Sequence, residues 1–392
     1  MGIEILGKTD WSFQGCKTQY FTHTFHPYPA RFIPQIPSTF IKLFTEEGEI
    51  VLDPMCGCGT TLVEALLHNR NAIGNDLNPL AVLISKVKTT LINEEEFRDF
   101  NDKISSVSGM EGILKALWEL KEEGKQKLYD FGRVALSASI WGGKDRDIER
   151  VFRKKVLSMQ REMLAMAEAV KNVPQIGVIC GDARRLGVQS GSVDLIITSP
   201  PYVNALDYHK IHKNSMLWLD MDFSMFRKNE IGKHSRFSGN RFRLLACYLA
   251  DMLRCMIEMN RALKKGKFCV IVIGNSRVEH EVIESHKFFA RMGSKIGFKP
   301  IKTLFREIDQ RKKSNSPAIG KINEEYILVL QKLEESPFSA DKDSFIVEII
   351  KEEMLKFRNQ AKNTAKLDAA IEKLPMDVET TLWRQKESSP LY

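Results

Sequence analysis

Short, wholly apolar runs alternate along the first part of the chain with segments whose apolar residues recur at helical spacing. Residues 49–53 (Glu-Ile-Val-Leu-Asp) predict a buried strand. The Gly-rich stretch 54–60 predicts a turn, and Leu62, Ala65 and Leu66 a helix after it. Asn71-Ala72-Ile73-Gly74-Asn75 predicts a second strand ending at Asp76, and Leu80, Val82, Leu83 and Val87 a helix that opens at Pro79. Strand, Gly turn, helix, strand and acid, in that order, begin a doubly wound α/β sheet of mostly parallel strands.

The pattern then changes. Residues 93–174 are rich in Glu, Lys, Met and Leu at helical spacing and predict an inserted group of two or three long helices. Strand text returns at 175–180, closing on Gly181-Asp182, and again at Val193-Asp194-Leu195-Ile196-Ile197. That last run passes directly into Thr198-Ser199-Pro200-Pro201-Tyr202. Two prolines fix φ and remove two donors, so the strand ends as a rigid rim carrying a hydroxyl, free carbonyls and a ring. Such a rim suits a planar group that bears an NH2. Residues 203–243 are polar, aromatic and basic with little periodicity, and predict an irregular segment. A helix at about 244–262, an apolar strand at 267–273 and a helix at 280–296 follow. Two antiparallel strands are expected near 299–306 and 324–331, joined by a basic loop with Arg311, Lys312 and Lys313. The expected organisation is an N-terminal ligand-binding part over 1–92, the insertion over 93–174, a second part of the same α/β unit over 175–334 and a helical appendage over 335–392, with amphipathic helix text at 345–373.

The 392 residues and 43% hydrophobic content can bury a sizeable core. A formal net charge of +8 suits a polyanionic partner without demanding one. Seven scattered cysteines form no paired CxxC sets, so neither a zinc site nor a disulfide framework is expected; reduced thiols fit a cytoplasmic protein. Residues 1–6 lack a basic-then-apolar leader, and no apolar run approaches the length of a membrane span.

Chemistry concentrates at strand ends. Gly57 and Gly59 allow a ligand to approach the backbone beyond the first strand, and Asp76 is placed to accept the hydroxyls of a ribose. The turn lacks full GxGxxG spacing and has no P-loop lysine, which points to a lone nucleoside instead of a dinucleotide or nucleoside triphosphate. A third acid, Asp182, ends the next core strand.

Asp53, Gly57, Gly59, Asp76 and Asp182 together resemble the S-adenosyl-L-methionine site of class I methyltransferases. The stretch Asp53-Pro54-Met55-Cys56-Gly57-Cys58-Gly59-Thr60-Thr61 resembles the version found in amino-methylating enzymes. Ser199-Pro200-Pro201-Tyr202 is similar to the catalytic motif of methyltransferases that act on an exocyclic amino group of a nucleobase. The resemblance covers about 20–92 and 175–332 and implies a seven-stranded methyltransferase sheet. It places Asp53, Pro54, Cys56, Gly57, Gly59 and Thr60 near the amino-acid end of the cofactor, Asp76 on the ribose and Asp182 near the adenine amino group. Residues 22–34 are similar to the segment that walls the cofactor pocket in these enzymes, with Phe32 as the contact.

For catalysis the resemblance implies that the Ser199 hydroxyl and Pro200 carbonyl accept from the base amino group, Pro201 stiffens the rim and Tyr202 stacks on the base. Serine at the first motif position is typical of DNA cytosine-N4 enzymes, whereas Asp or Asn is usual for adenine N6. A base in duplex DNA must be flipped out to reach such a site. No Pro-Cys pair occurs, which argues against cytosine C5 chemistry. The cofactor segments precede the catalytic one, while many cytosine-N4 enzymes carry the two halves permuted. Tyr208, Lys210, Lys213, Arg236, Arg241 and Arg243 are the expected nucleic-acid contacts, since cations meet phosphates and rings stack. His209 and His212 are read as helix-surface residues, not bases. The implied partners are duplex DNA and a cognate restriction endonuclease, with a homo-oligomer left open. Adenine-N6 methylation of DNA uses the same parts. RNA is the further alternative, because tRNA guanine-N2 methyltransferases share the turn and a Pro-Pro-Tyr-like site. Those usually carry an extra N-terminal RNA-binding domain, and only about 48 residues precede the first strand here.

Overall fold

Apolar runs too short for helices pair into one sheet. The computed structural model describes residues 2–141, 147–204, 206–233, 237, 239–308 and 323–386. The strands are β1 (Ile50–Asp53), β2 (Asn71–Asp76), β3 (Ile176–Cys180), β4 (Val193–Thr198), β5 (Leu263–Gly274), β6 (Ser276–Val278), β7 (Glu281–Ile283), β8 (Phe298–Glu307) and β9 (Glu324–Lys332). Seven of them lie in the order β3-β2-β1-β4-β5-β9-β8. The first five are parallel, and β9 and β8 complete the sheet antiparallel. β1 sits between β2 and β4, so the chain reverses its direction of travel across the sheet there. A crevice opens beyond the carboxyl ends of strands at such a switch. β4 is buried at every position, as expected for a central parallel strand covered on both faces.

The segment after residue 92 forms four helices, not two or three: Glu94–Ser105, Gly109–Glu122, Gln126–Ile140 and Ile148–Ala169. Asn93 and Glu96 close a capping box at the first. Gly124, at φ 74°, stops the helix Gly109–Glu122 just past its C-cap Glu123, and Gly109, also at φ 74°, opens that helix. Phe97, Phe100, Phe131 and Phe152 bury these helices against Val63, Leu66, Leu80 and Ile84 of the helices Thr60–Leu67 and Pro79–Thr89.

Residues 203–243 also depart from expectation, for helices run over Tyr208–Trp218 and Ser224–Asn229. The buried positions of the first are His209, His212, Ser215 and Met216. Their spacing is helical, but three of the four are polar, so no apolar period shows. The helix expected from 280 starts only at Ser285, because β6 and β7 form a hairpin first. Its turn residues Glu279 and His280 sit at φ 49° and 70°, outside helical geometry. The C-terminal text resolves into the helices Asp343–Arg358 and Thr364–Lys386, whose apolar residues share a core with the helix Arg241–Ala262 and with β5. Among the described residues, no helix is long and apolar enough to cross a membrane.

Candidate active site

The turn after β1 is built by backbone bonds. Gly59 N–H donates to the Cys56 carbonyl at 2.8 Å, and Cys56 N–H to the Asn75 carbonyl at 3.0 Å. The helix Pro79–Thr89 holds the turn from behind: the Ser85 hydroxyl donates to the Gly57 carbonyl at 2.9 Å, and buried Lys88 to that of Cys58 at 2.8 Å. Gly59, at φ 76°, has Ser85 Oγ only 2.8 Å from where a Cβ would lie, so both backbone and packing demand glycine. Cys56 and Cys58 are buried, with Ser85 and Thr60 hydroxyls 3.8 Å from their sulfurs. Asp53 faces inward. Its carboxylate accepts from the Thr61 hydroxyl at 2.7 Å and from Met55 N–H at 3.2 Å. Burial pushes its pKa up to about 7 against those bonds.

An open cavity of about 120 Å³ lies over the ends of β1 to β4. Phe32, Pro54, Cys56, Gly57, Thr60, Asp76, Asp182, Ser199, Pro201 and Tyr208 line it, whereas Asp53, Gly59, Pro200 and Tyr202 are not among its lining residues. Asp76 Oδ2 accepts from Gly57 N–H at 2.8 Å and Oδ1 from Asn78 N–H at 2.9 Å. Burial raises this carboxyl to about 6 despite those donors. Burial also works upward on Asp182, but the Arg184 guanidinium beside it outweighs that and holds it below its ordinary range.

Tyr28 lines the cavity from the expected 22–34 segment, while Asn75, Asn78 and Glu230 are lining residues that sequence reasoning overlooked. Asn75 Nδ2 donates to the carbonyls of Pro54 and Gly181, each at 3.0 Å, which fixes the orientation of the amide. Its Oδ1 is left buried without a donor. Asn78 caps its helix through Oδ1 and points Nδ2 at His212 Nδ1, 2.8 Å away. The proton of His212 therefore sits on Nε2, and burial depresses its pKa to about 3. Tyr28 lies with its ring 4.8 Å from that of His212. His212 and His209 are both buried, contrary to the surface reading. Glu230 accepts from Tyr208 N–H and contacts His209 Nδ1, and burial raises its carboxyl to about 7. A lone Glu in polar text gives no sequence signal.

At the end of β4, Ser199 is half-buried and faces the cavity, while Pro200 is buried. The Tyr202 hydroxyl donates to Glu325 Oε1 at 3.0 Å. The wall at 22–32 is braced by the insertion: Lys155 donates to the Thr24 carbonyl at 2.9 Å, and His26 Nε2 lies 2.9 Å from Ser137 Oγ. Arg31 donates to the His23 carbonyl at 2.8 Å, folding the segment so that Phe32 reaches the cavity.

The expected nucleic-acid contacts are dispersed. Lys210 and Lys213 are exposed on the helix beside the cavity, with Lys210 2.6 Å from Asp207. Arg241 begins the helix Arg241–Ala262, its N–H bonded to Glu279. Arg243 is committed to Asp377 of the C-terminal helix at 2.6 Å and packs over Phe237 at 4.3 Å. Arg236 lies outside the described residues.

A family model described as DNA methylase, of the N6/N4 type, matches residues 7–87 and 193–389. The chain is similar to the type II methyltransferase M.MvaI of Kocuria varians, 36% identical over 128 residues, which cover 31% of this chain and 27% of that protein. It is 44% identical over 66 residues to the type II methyltransferase M.MjaII of Methanocaldococcus jannaschii, covering 17% of this chain and 12% of the relative. A longer and weaker match, 20% identical over 433 residues, joins it to the type II methyltransferase M.BsoBI of Geobacillus stearothermophilus, covering 79% and 84% of the two chains. The first two alignments thus span only about a quarter and an eighth of those relatives. The family model, by contrast, takes in both the Gly turn with Asp76 and the strand that carries Ser199–Tyr202, together most of the length, and the chain belongs to this DNA methylase family, whose cofactor is S-adenosyl-L-methionine.

Proposed function

We propose that this chain is a DNA amino-methyltransferase that methylates the exocyclic N4 of cytosine in a base flipped from duplex DNA. The observation that carries the reading is the position of Ser199, which faces the same cavity as Asp76 and Asp182 from the end of β4, on the other side of β1. The donor set fits the family's cofactor. Two carboxylates at the ends of β2 and β3 offer acceptors for a ribose and for an amino group. Asn75 Oδ1 adds a buried acceptor that lacks a partner in the protein. Gly57 presents no side chain to the cavity.

When bound, the cofactor supplies an electrophilic sulfonium methyl group. The chain's own residues prepare the nucleophile. A cytosine amino nitrogen is weak because its lone pair is delocalised into the ring. The Ser199 hydroxyl and Pro200 carbonyl accept from the NH2 and draw the nitrogen towards a tetrahedral shape, which frees the lone pair for in-line attack. Tyr202 stacks on the base, and the prolines keep the rim rigid. Serine in place of a carboxylate or carboxamide is what favours cytosine N4 over adenine N6. Type II relatives favour DNA over RNA and bring a cognate restriction endonuclease into the reading as partner.

The test is direct. The protein is incubated with labelled S-adenosyl-L-methionine and either duplex DNA or tRNA, the polymer is digested, and the modified nucleoside is identified by mass. N4-methylcytosine from DNA is the expected product. N6-methyladenine, or a methylated RNA base, overturns the assignment.

A further inference from the structure

Arg184 is a buried hub with nothing to do in the chemistry described so far. It is 3% exposed, yet it holds three separate elements. Its backbone N–H and Nε both donate to Asp182 Oδ1 at 2.9 Å, and Nη2 donates to Asp182 Oδ2 at 2.7 Å. Nη1 lies 2.9 Å from Asp251, itself buried on the helix Arg241–Ala262. Nη2 also donates to the Asn229 carbonyl at 3.0 Å. Asn229 is flanked by Phe226, Glu230 and Ile231, which line the cavity, and Glu230 in turn receives the N–H of the cavity residue Tyr208. One planar fork therefore links the carboxylate at the end of β3, the scaffold helix behind it and the segment that leads back to the helix after the catalytic rim. A lysine offers a point charge and cannot reproduce that geometry.

We propose that Arg184 is a positioning residue for the cofactor's adenine: it aims the Asp182 carboxylate at the exocyclic amino group and clamps it to the 226–231 wall of the cavity. The inference rests on the proposed function, in which the cavity holds S-adenosyl-L-methionine with its adenine near Asp182. Three donors from Arg184, two on Oδ1 and one on Oδ2, occupy one side of the carboxylate and leave it no freedom to rotate. Recognition of an amino donor then requires no reorganisation on binding. A 6-oxo purine presents an acceptor at the same place and meets an immobile carboxylate, so it is rejected.

Equilibrium titration of the full chain with S-adenosylhomocysteine and with its inosine analogue, in which the 6-amino group is replaced by oxygen, tests this. The wild-type protein is expected to prefer the amino form by about 10- to 100-fold, the range of a buried polar group left unpaired. Arg184→Lys and the charge-balanced pair Arg184→Met/Asp251→Asn are expected to lose most of that ratio. Asp182→Ala is expected to lose it as well, with the fork's other contacts intact. A structural role alone weakens both ligands equally and keeps the ratio; that outcome overturns the inference. Retention of the ratio in Asp182→Ala overturns it too, and needs no Arg184 variant to fold. Absence of any S-adenosylhomocysteine binding by the wild-type chain refutes instead the reading of the cavity on which the inference rests.

Discussion

The Tyr202 hydroxyl donates to Glu325 Oε1 at 3.0 Å, and the other oxygen of Glu325 is paired with Arg306. Tyr202 belongs to the irregular rim after β4, whereas Glu325 and Arg306 sit on β9 and β8, the antiparallel edge of the sheet. The ring that is proposed to meet the base is thus tethered to the sheet through Glu325, with Ser199 of its own rim bonded to it as well. Burial and the Glu325 carboxylate both keep the phenol protonated.

That anchor separates turnover from cofactor binding. Tyr202→Phe keeps the ring and removes the tether, and is expected to lower single-turnover methylation about 10- to 100-fold, the usual scale of a small misplacement. Tyr202→Ala is expected to abolish it. Cofactor affinity, read by titration, should stay within about twofold of wild type for both, because Tyr202 is not among the residues that line the cavity. A loss of affinity in Tyr202→Ala as large as that of Asp76→Ala would contradict the assigned role.

Asp76 carries the opposite expectation. If Asp76 is the proposed acceptor for the ribose, Asp76→Ala should weaken cofactor binding by about 10- to 100-fold. Wild-type affinity should also depend on pH. The carboxyl titrates at about 6 because it is buried, and its protonated form has lost acceptor capacity. Affinity is therefore full at pH 8 and declines as pH falls through 6, while the alanine variant shows no such step. Titrations at pH 5, 6, 7 and 8 on both proteins decide it; identical pH profiles would remove Asp76 from the role.

Asp53 predicts an effect on stability. Its folded pKa of about 7 lies above the ordinary 3.8. Between those values the folded chain holds a proton that the unfolded chain has released, so this group's contribution to stability falls as pH rises through the window and is constant above it. Asp53→Asn removes that dependence. The unavoidable change in the bonds to Thr61 and Met55 adds an offset that does not vary with pH. The difference in unfolding free energy, variant minus wild type, should therefore move in the variant's favour between pH 5 and pH 8, by on the order of a few kcal/mol. Urea midpoints at the two pH values measure it, and a difference that does not change with pH would show that Asp53 is already ionised at pH 5.

Much of this arrangement was legible because backbone constraints write themselves into sequence. Gly59 needs a left-handed φ and has no room for a side chain, Asp76 ends a strand whose apolar residues announce it, and the two prolines after β4 stop a run buried at every position. What escaped has the opposite character. Glu230 reaches the cavity from polar text, and its buried partner His209 lies on a helix whose inward face is mostly polar. Asn75 is an ordinary strand residue until its amide is seen bridging Pro54 and Gly181. The four-helix insertion was visible as helical text, but its bracing of the 22–32 wall through Lys155 and Ser137 depends on contacts more than a hundred residues apart.

The cations named as nucleic-acid contacts divide by what already holds them. Arg243 is tied to Asp377 and packed on Phe237, so replacing it breaks a link between the helix Arg241–Ala262 and the C-terminal helix. Lys213 is exposed on the helix that carries Tyr208 at the cavity. A phosphate contact releases counterions, and each one contributes about 0.9 to the slope of log affinity against log salt. Lys213→Ala is expected to weaken duplex binding and reduce that slope by about one, with an unchanged melting temperature. Arg243→Ala is expected to leave the slope alone and lower the melting temperature by about 1 to 2 °C, the scale of about 1 kcal/mol in a chain of this size. Salt titrations of duplex binding, paired with thermal unfolding of both variants, test the division. If Arg243→Ala flattens the slope at unchanged melting temperature, the arginine leaves Asp377 for phosphate when DNA binds, and its assignment as a structural link fails.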